Sequence, residues 1–243
     1  MIPFRLAELA DALGGSLVLP HRVTPEQFVS GSVQTNSTLV EPGSIFFALP
    51  GEVTDGHLFA GDAVERGAAL VIAERPLELP VPVLIVPDGV TALADLARLV
   101  VARVRASGAL RLIGITGSNG KTTTKNLLQA ILDAEGPTVA PAGSFNNHVG
   151  APITMTRIDE STRYLISEMG ASHSGEIARL VGIAIPDISV VLKVGLAHAG
   201  EFGGIEATQR AKSEIVRELP STAVAVLNAD DPRVMAMTEV TAA

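Results

Sequence analysis

Apolar positions along this chain follow first a mixed and then a regular rhythm. Between residues 4 and 13, Leu6, Leu9, Ala10 and Leu13 share one helical face and Gly14-Gly15 supplies a stop, so a helix is expected there. Apolar runs at 44–49, 69–73 and 83–86 read as strands, with a helical pattern at 58–66 between the first two. Residues 90–106 read as one long amphipathic helix ended by Ser107-Gly108, which places a domain boundary between 1–107 and 108–243.

Beyond that boundary, apolar and often β-branched runs at 111–116, 138–140, 163–167, 188–194 and 223–227 alternate with helical stretches at 121–133, 175–181 and 205–219. Strands alternating with helices imply right-handed crossovers and a parallel sheet covered on both faces. The expected fold class is therefore α/β: a small N-terminal α/β domain followed by a three-layer, P-loop-type, mostly parallel sheet domain. No internal repeat or low-complexity segment interrupts this pattern.

Composition narrows the partners. Of 243 residues, 47% are hydrophobic and 18% charged, a globular balance. The net charge of -8 argues against nucleic-acid binding through bulk positive charge, though not against a local anion site. With no cysteine there is no disulfide framework and no thiolate chemistry. The N-terminus lacks an apolar signal region, and the best apolar stretch, 93–104, is broken by Asp95, Arg98 and Arg103. A soluble, cytoplasmic protein without a membrane span is expected.

The strongest local signal is LIGITGSNGKTTTKN at 112–126, a strand running through a glycine-rich turn into a helix. Backbone N–H groups of Gly117, Ser118, Asn119 and Gly120 and the helix start at Lys121, Thr122 and Thr123 suit a nucleotide phosphate. Lys121 can reach the outer phosphate oxygens, and the Thr122 hydroxyl can ligate Mg²⁺. The strict spacing of such a loop wants glycine at 115, where this chain has Ile115; a purely structural glycine turn is the competing reading. Glu168 closes an apolar strand, where a hard carboxylate suits Mg²⁺. Asn146 and Asn147 could donate amide N–H groups to an anion or simply form a turn.

These residues resemble the Mur ligase family. TGSNGKT at 116–122 is similar to its TGxxGKT loop, SFNNHVGAP at 144–152 to its Asn-Asn-x-x-Gly-x-Pro element, and ISEMGASHSGEI at 166–177 to a Glu-Met-Gly element. AHAGEFGGIEATQRAKSEI at 197–215 and LNADDP at 227–232 complete the order, and residues 33–74 resemble the family's UDP-binding domain. The resemblance implies that Lys121, Glu168, His198 and Lys212 form the catalytic group. Thr122, Glu168, His198 and a Lys212 carbamylated by CO₂ would hold Mg²⁺, and Asn228 would face the nucleotide. Ser37, Asn146 and Asn147 would contact substrate. Asn36-Ser37-Thr38 stands where the family usually has Asp-Ser-Arg, which removes a bidentate partner for a diphosphate. For His57 a loop-fixing hydrogen bond and a ligand contact are both open.

The activity implied is ATP-dependent amide bond formation, with UDP-N-acetylmuramoyl-tripeptide as acceptor and D-alanyl-D-alanine as incoming amine, through an acyl phosphate. A monomer is expected. Family members carry a third, C-terminal domain, which is expected to be absent here; the sheet domain is expected to be incomplete, and this chain alone to have little or no turnover. Another amino-acid ligase of the family, or a non-catalytic nucleotide-binding protein, are the alternatives.

Overall fold

The computed structural model describes residues 1–51, 54–106, 108–195 and 204–243. The chain divides into two compact units, Met1–Val100 and Val101–Ala243.

The first unit begins with β1 (Phe4–Arg5), α1 (Leu6–Ala12), β2 (Ser16–Val18), β3 (Phe28–Val29) and β4 (Val33–Gln34). It continues with β5 (Ile45–Ala48), α2 (Ala60–Glu65), β6 (Leu70–Ala73), β7 (Val83–Ile85) and α3 (Gly89–Arg105). The sheet order is β2-β7-β6-β5-β4, parallel except for β2, which pairs antiparallel with β7. Every residue of β5 (IFFA) and β6 (LVIA) is buried, which is why these strands read as unbroken apolar runs. The helix expected from residue 4 starts at Leu6 instead: Arg5 is extended (φ -74°, ψ 148°), and Phe4, fully buried, pairs with Val29. In α3 the most deeply buried residues, Ala92, Leu93, Leu96, Ala97, Val100, Val101 and Val104, form one stripe at helical spacing. Asp88 opens this helix, its carboxylate accepting the Thr91 N–H at 2.6 Å. The division between the units falls within α3, between Val100 and Val101.

The second unit contains β8 (Arg111–Thr116), α4 (Lys121–Leu132), β9 (Thr138–Val139), α5 (Gly150–Thr156) and β10 (Tyr164–Glu168). These are followed by α6 (Glu176–Ile183), β11 (Ile188–Val191), α7 (Ile205–Arg217), β12 (Val224–Leu227) and α8 (Pro232–Met235). All five strands are parallel, in the order β12-β11-β8-β10-β9. Ile113, Ile115 and Ile166 pack on one face with Leu128 and Leu132 of α4. On the other face the Ser189 hydroxyl donates to the Ile215 carbonyl of α7 at 3.1 Å. Helix, sheet and helix thus form three layers.

The first strand in sequence, β8, lies in the middle of the sheet, with β10 on one side and β11 on the other. The connection from β8 runs to the β10–β9 side of the sheet, and the chain later crosses from β10 to β11 on the other side, so the order reverses at β8 and a crevice opens at its carboxyl end. The β11 strand stops at Val191, short of the expected 194. Past that point the backbone turns to the phosphate loop, with the Ser118 N–H donating to the Lys193 carbonyl at 2.8 Å. Among the described residues, no helix is long and apolar enough to cross a membrane.

Candidate functional site

The glycine-rich turn sits at the crevice where β8 ends. Gly120 takes φ 85°, a conformation that strains any L side chain, and α4 starts directly after it. A Cβ on Gly117 would come within 3.0 Å of the Leu192 side chain, so the loop needs glycine to lie against the end of β11. The Ser118 hydroxyl donates to the Gly195 carbonyl (3.1 Å) and accepts the Gly195 N–H (2.8 Å), fastening the loop to that neighbouring segment. Asn119 and Thr123 are exposed at the mouth of the turn and on the first turn of α4.

Two separate stretches converge on one carboxylate. Glu168, at the end of β10 and 1% exposed, accepts the Thr122 hydroxyl at 3.0 Å on Oε2 and the Asn146 amide at 2.8 Å on Oε1. Lys121, half-buried, donates to the Gly117 carbonyl at 2.8 Å. Burial lowers its pKa from the ordinary lysine value, while the charge of Glu168 acts in the opposite direction.

Lys212 reaches the same place from α7 and is 3% exposed. Its pKa is lowered to about 8, first by burial and then by the positive charge of Lys121. Gly117, Lys121, Asn146, Asn147, Glu176 and Lys212 line a cavity of about 320 Å³. Two lysines and the Glu176 carboxylate around such a space, with Glu168 behind Asn146, suit a polyanion with a divalent cation. His198 lies outside the described residues.

Other expected site residues have mainly architectural partners. Asn147 Oδ1 accepts the N–H groups of Val149 (3.2 Å) and Gly150 (2.8 Å), so the stretch 144–152 is not all loop: α5 starts at Gly150. Asn228 donates to the Leu192 carbonyl at 2.8 Å and accepts the Asp230 N–H at 3.0 Å. Asp231 accepts the Val194 N–H at 2.8 Å and caps α8 through the Arg233 N–H at 2.9 Å. The Asn-Ala-Asp-Asp turn therefore braces residues 192–194, which in turn hold the phosphate loop.

Two contributors escaped the sequence reading. Lys125, one turn after Lys121 and 3% exposed, donates to the Pro141 carbonyl at 2.9 Å and pins the segment leading to Asn146. Glu214, two residues past Lys212, accepts the N–H groups of Gly175 (2.7 Å) and Ala178 (3.0 Å) and so fixes the start of α6. Their spacing from the two expected lysines was the available signal.

The first unit holds its own cavity of about 500 Å³, lined in part by Asn36, Ser37, Thr38, Gly56, Phe59 and Asp62. The Ser37 hydroxyl donates to Asp62, which, with Arg66 as second cause, holds that carboxyl below its ordinary value. Thr38 turns its hydroxyl to Asn36 Oδ1 at 2.9 Å. Neighbouring His57 is 5% exposed, and its role is structural: Nε2 accepts the Glu74 N–H at 3.0 Å, so Nδ1 carries the proton donated to Asp55 at 2.6 Å. Asp55 also accepts from Arg75, which is the main reason its pKa falls far below the usual carboxylate range. His57→Ala would leave the Glu74 N–H unpaired in a buried space, at an expected loss of about 2–3 kcal/mol in urea unfolding. A change under about 0.5 kcal/mol would contradict this assignment.

Residues 115–243 match the Mur ligase middle domain, and residues 31–111 match the catalytic domain of the Mur ligase family. The UDP-N-acetylmuramoyl-tripeptide–D-alanyl-D-alanine ligase of Mycobacterium tuberculosis is 44% identical over 262 aligned positions, covering 100% of this chain and 51% of the relative. A structure of the UDP-N-acetylmuramoylalanyl-D-glutamyl-2,6-diaminopimelate–D-alanyl-D-alanyl ligase from Acinetobacter baumannii superposes with a TM-score of 0.84 at 34% identity, over 99% of this chain and 52% of that one. The MurF ligase from Thermotoga maritima, crystallised with ADP, superposes at 0.77 and 34% identity, over 87% of this chain and 49% of that one. The chain spans about half the length of the curated relatives it matches.

Proposed function

The chain belongs to the Mur ligase family, and on that premise we propose that it is the part of a peptidoglycan-precursor ligase that binds the acceptor and ATP. The whole enzyme adds D-alanyl-D-alanine to UDP-N-acetylmuramoyl-tripeptide, in the cytoplasm and as a monomer. Residues 1–107 hold the UDP-muramoyl end, with Ser37 in that site, and residues 108–243 hold ATP. The acceptor's third residue is diaminopimelate, as the Acinetobacter relative's name has it. The observation that carries this reading is the meeting of Lys121, Thr122 and Asn146 around Glu168, with Lys212 lining the same cavity.

In the proposed reaction an oxygen of the acceptor's terminal carboxylate bonds to the γ-phosphorus of ATP as the bond to the β–γ bridging oxygen breaks and ADP leaves. The amine nitrogen of the dipeptide then bonds to the activated carbon. Phosphate departs with its electron pair and the nitrogen gives up a proton. Lys121 would lie against the transferring phosphoryl oxygens, and the amides at Gly117 to Gly120 against the phosphate chain, with Asn228 on the nucleoside side.

The Thr122 hydroxyl and the buried, hydrogen-bonded carboxylate of Glu168 form a hard oxygen donor pair that fits Mg²⁺. When bound, that ion neutralises charge developing on the phosphoryl oxygens. A carbamylated Lys212 and His198 complete the proposed metal-holding set, and the lowered pKa of Lys212 supports the modification because CO₂ reacts with the neutral amine. Asn146 would orient both Glu168 and substrate.

Titration calorimetry of this chain with UDP-N-acetylmuramoyl-tripeptide, and separately with Mg-ATP, tests the reading. Saturable binding of both is expected. Binding of Mg-ATP without the acceptor would favour a non-catalytic nucleotide-binding protein, the reading that Thr38 supports.

A further inference from the structure

Beside the cavity at the phosphate loop lies another of about 230 Å³, lined by Asn147, His148, Gly170, Glu176, Arg179 and Leu180. The first four of these also line the larger cavity, so the two adjoin along a common wall. Two opposite charges face the smaller space from α6, one helical turn apart. Glu176 is fixed, its Oε2 accepting the N–H groups of Ser172 (2.6 Å) and His173 (3.1 Å). Arg179 is exposed and has no side-chain hydrogen bond or ion pair among the described residues. Leu180, 1% exposed, forms an apolar wall.

Resting on the reading above, we propose that this smaller cavity reads the side chain of the acceptor's third residue, and that it is built for an aliphatic chain ending in its own ammonium and carboxylate. Arg179 takes the carboxylate as a planar, bidentate donor, Glu176 takes the ammonium, and Leu180 lies along the methylene groups. The reacting carboxylate and the side chain leave the same carbon of that residue, so a pocket adjoining the reaction cavity is where the side chain must lie. A plain lysine side chain would bring a second cation to Arg179 and leave the guanidinium unpaired. The incoming dipeptide fits less well, because its amine must attack as the free base, whereas a fixed carboxylate holds an ammonium protonated.

The test is calorimetric titration of this chain with two UDP-N-acetylmuramoyl-tripeptides, one ending in diaminopimelate and one in lysine. The unaltered chain is expected to bind the diaminopimelate acceptor at least about tenfold more tightly. Arg179→Gln is expected to bring the two within about twofold, and Arg179→Lys to restore part of the preference, with Mg-ATP affinity unchanged in both variants. Equal binding of the two acceptors by the unaltered chain overturns the inference while leaving the proposed function standing. Binding of neither acceptor overturns that function and the inference with it. A preference untouched by Arg179→Gln, or a weakened affinity for D-alanyl-D-alanine in its place, assigns Arg179 elsewhere and also overturns the inference.

Discussion

Lys121→Ala is expected to weaken Mg-ATP binding at least about 100-fold, a loss of about 2.7 kcal/mol. The side chain stands at the first position of α4, directly after the left-handed Gly120, and lines the cavity at the carboxyl end of β8. A point charge held there by the helix start would meet the terminal phosphates at short range and in partial burial, where electrostatic contacts are strongest. Its hydrogen-bond partner within the chain is the Gly117 carbonyl, which can turn to water, so the fold should survive the change. Titration of the variant beside the unaltered chain checks this, with circular dichroism confirming that the helices persist. An affinity reduced by less than about threefold would mean that the turn is only a structural bend. Lys121→Arg should not rescue binding, because a planar guanidinium cannot replace a compact ammonium at a glycine-lined turn.

The initial rate at which Lys212 captures CO₂ is expected to have its midpoint near pH 8. Carbamate forms from the neutral amine, and both causes of the shift, burial first and the Lys121 charge second, disfavour the ammonium. At pH 7 a lysine with a pKa of about 8 is neutral for roughly one molecule in ten, about 300 times the neutral fraction of a lysine at the ordinary 10.5. The initial rate of capture at fixed dissolved CO₂ should therefore rise through pH 8 and level off above it, the proton released with the new N–C bond passing to solvent. Carbon NMR in ¹³C-bicarbonate, at fixed dissolved CO₂, would follow the carbamate carbon, and Lys212→Arg should abolish its signal. Removing the neighbouring charge by Lys121→Ala should move the midpoint upward, since the second cause of the shift is then gone. A midpoint near 10.5 in the unaltered chain would show an ordinary exposed amine and remove the main support for a modified Lys212.

How much could be read in advance depended on how local each signal was. The apolar runs at β5 and β6, the stripe of α3 and the strand–turn–helix at 111–132 are written in neighbouring residues, because burial on both faces or on one helical stripe imposes its own spacing. The strands β1, β2, β3 and β4 are two or three residues long, too short for alternation to show, and they form because partners distant in sequence offer hydrogen bonds. Phe4 stood at the start of the expected helix, yet its pairing with Val29 draws it into an extended segment. The α5 start at Gly150 was hidden inside a motif that looked like loop, since the Asn147 side chain bonds the Val149 and Gly150 N–H groups just as a turn would.

The sequence by itself determined the α/β class, the glycine turn before Lys121, and the residue types able to meet an anion or a hard cation. Only the tertiary structure decided that Thr122 and Asn146, 46 and 22 positions from Glu168, both donate to its carboxylate, and that Lys212 lines the same cavity as Lys121. It also decided which groups His57, Asn228 and Asp231 hold: the first bonds the Glu74 N–H within the first unit, and the other two bond the Leu192 carbonyl and the Val194 N–H beside the glycine turn. The reason is that local spacing fixes which face of an element is apolar, whereas the order of strands in a sheet fixes which ends of those elements meet. That order arises from packing between segments far apart along the chain.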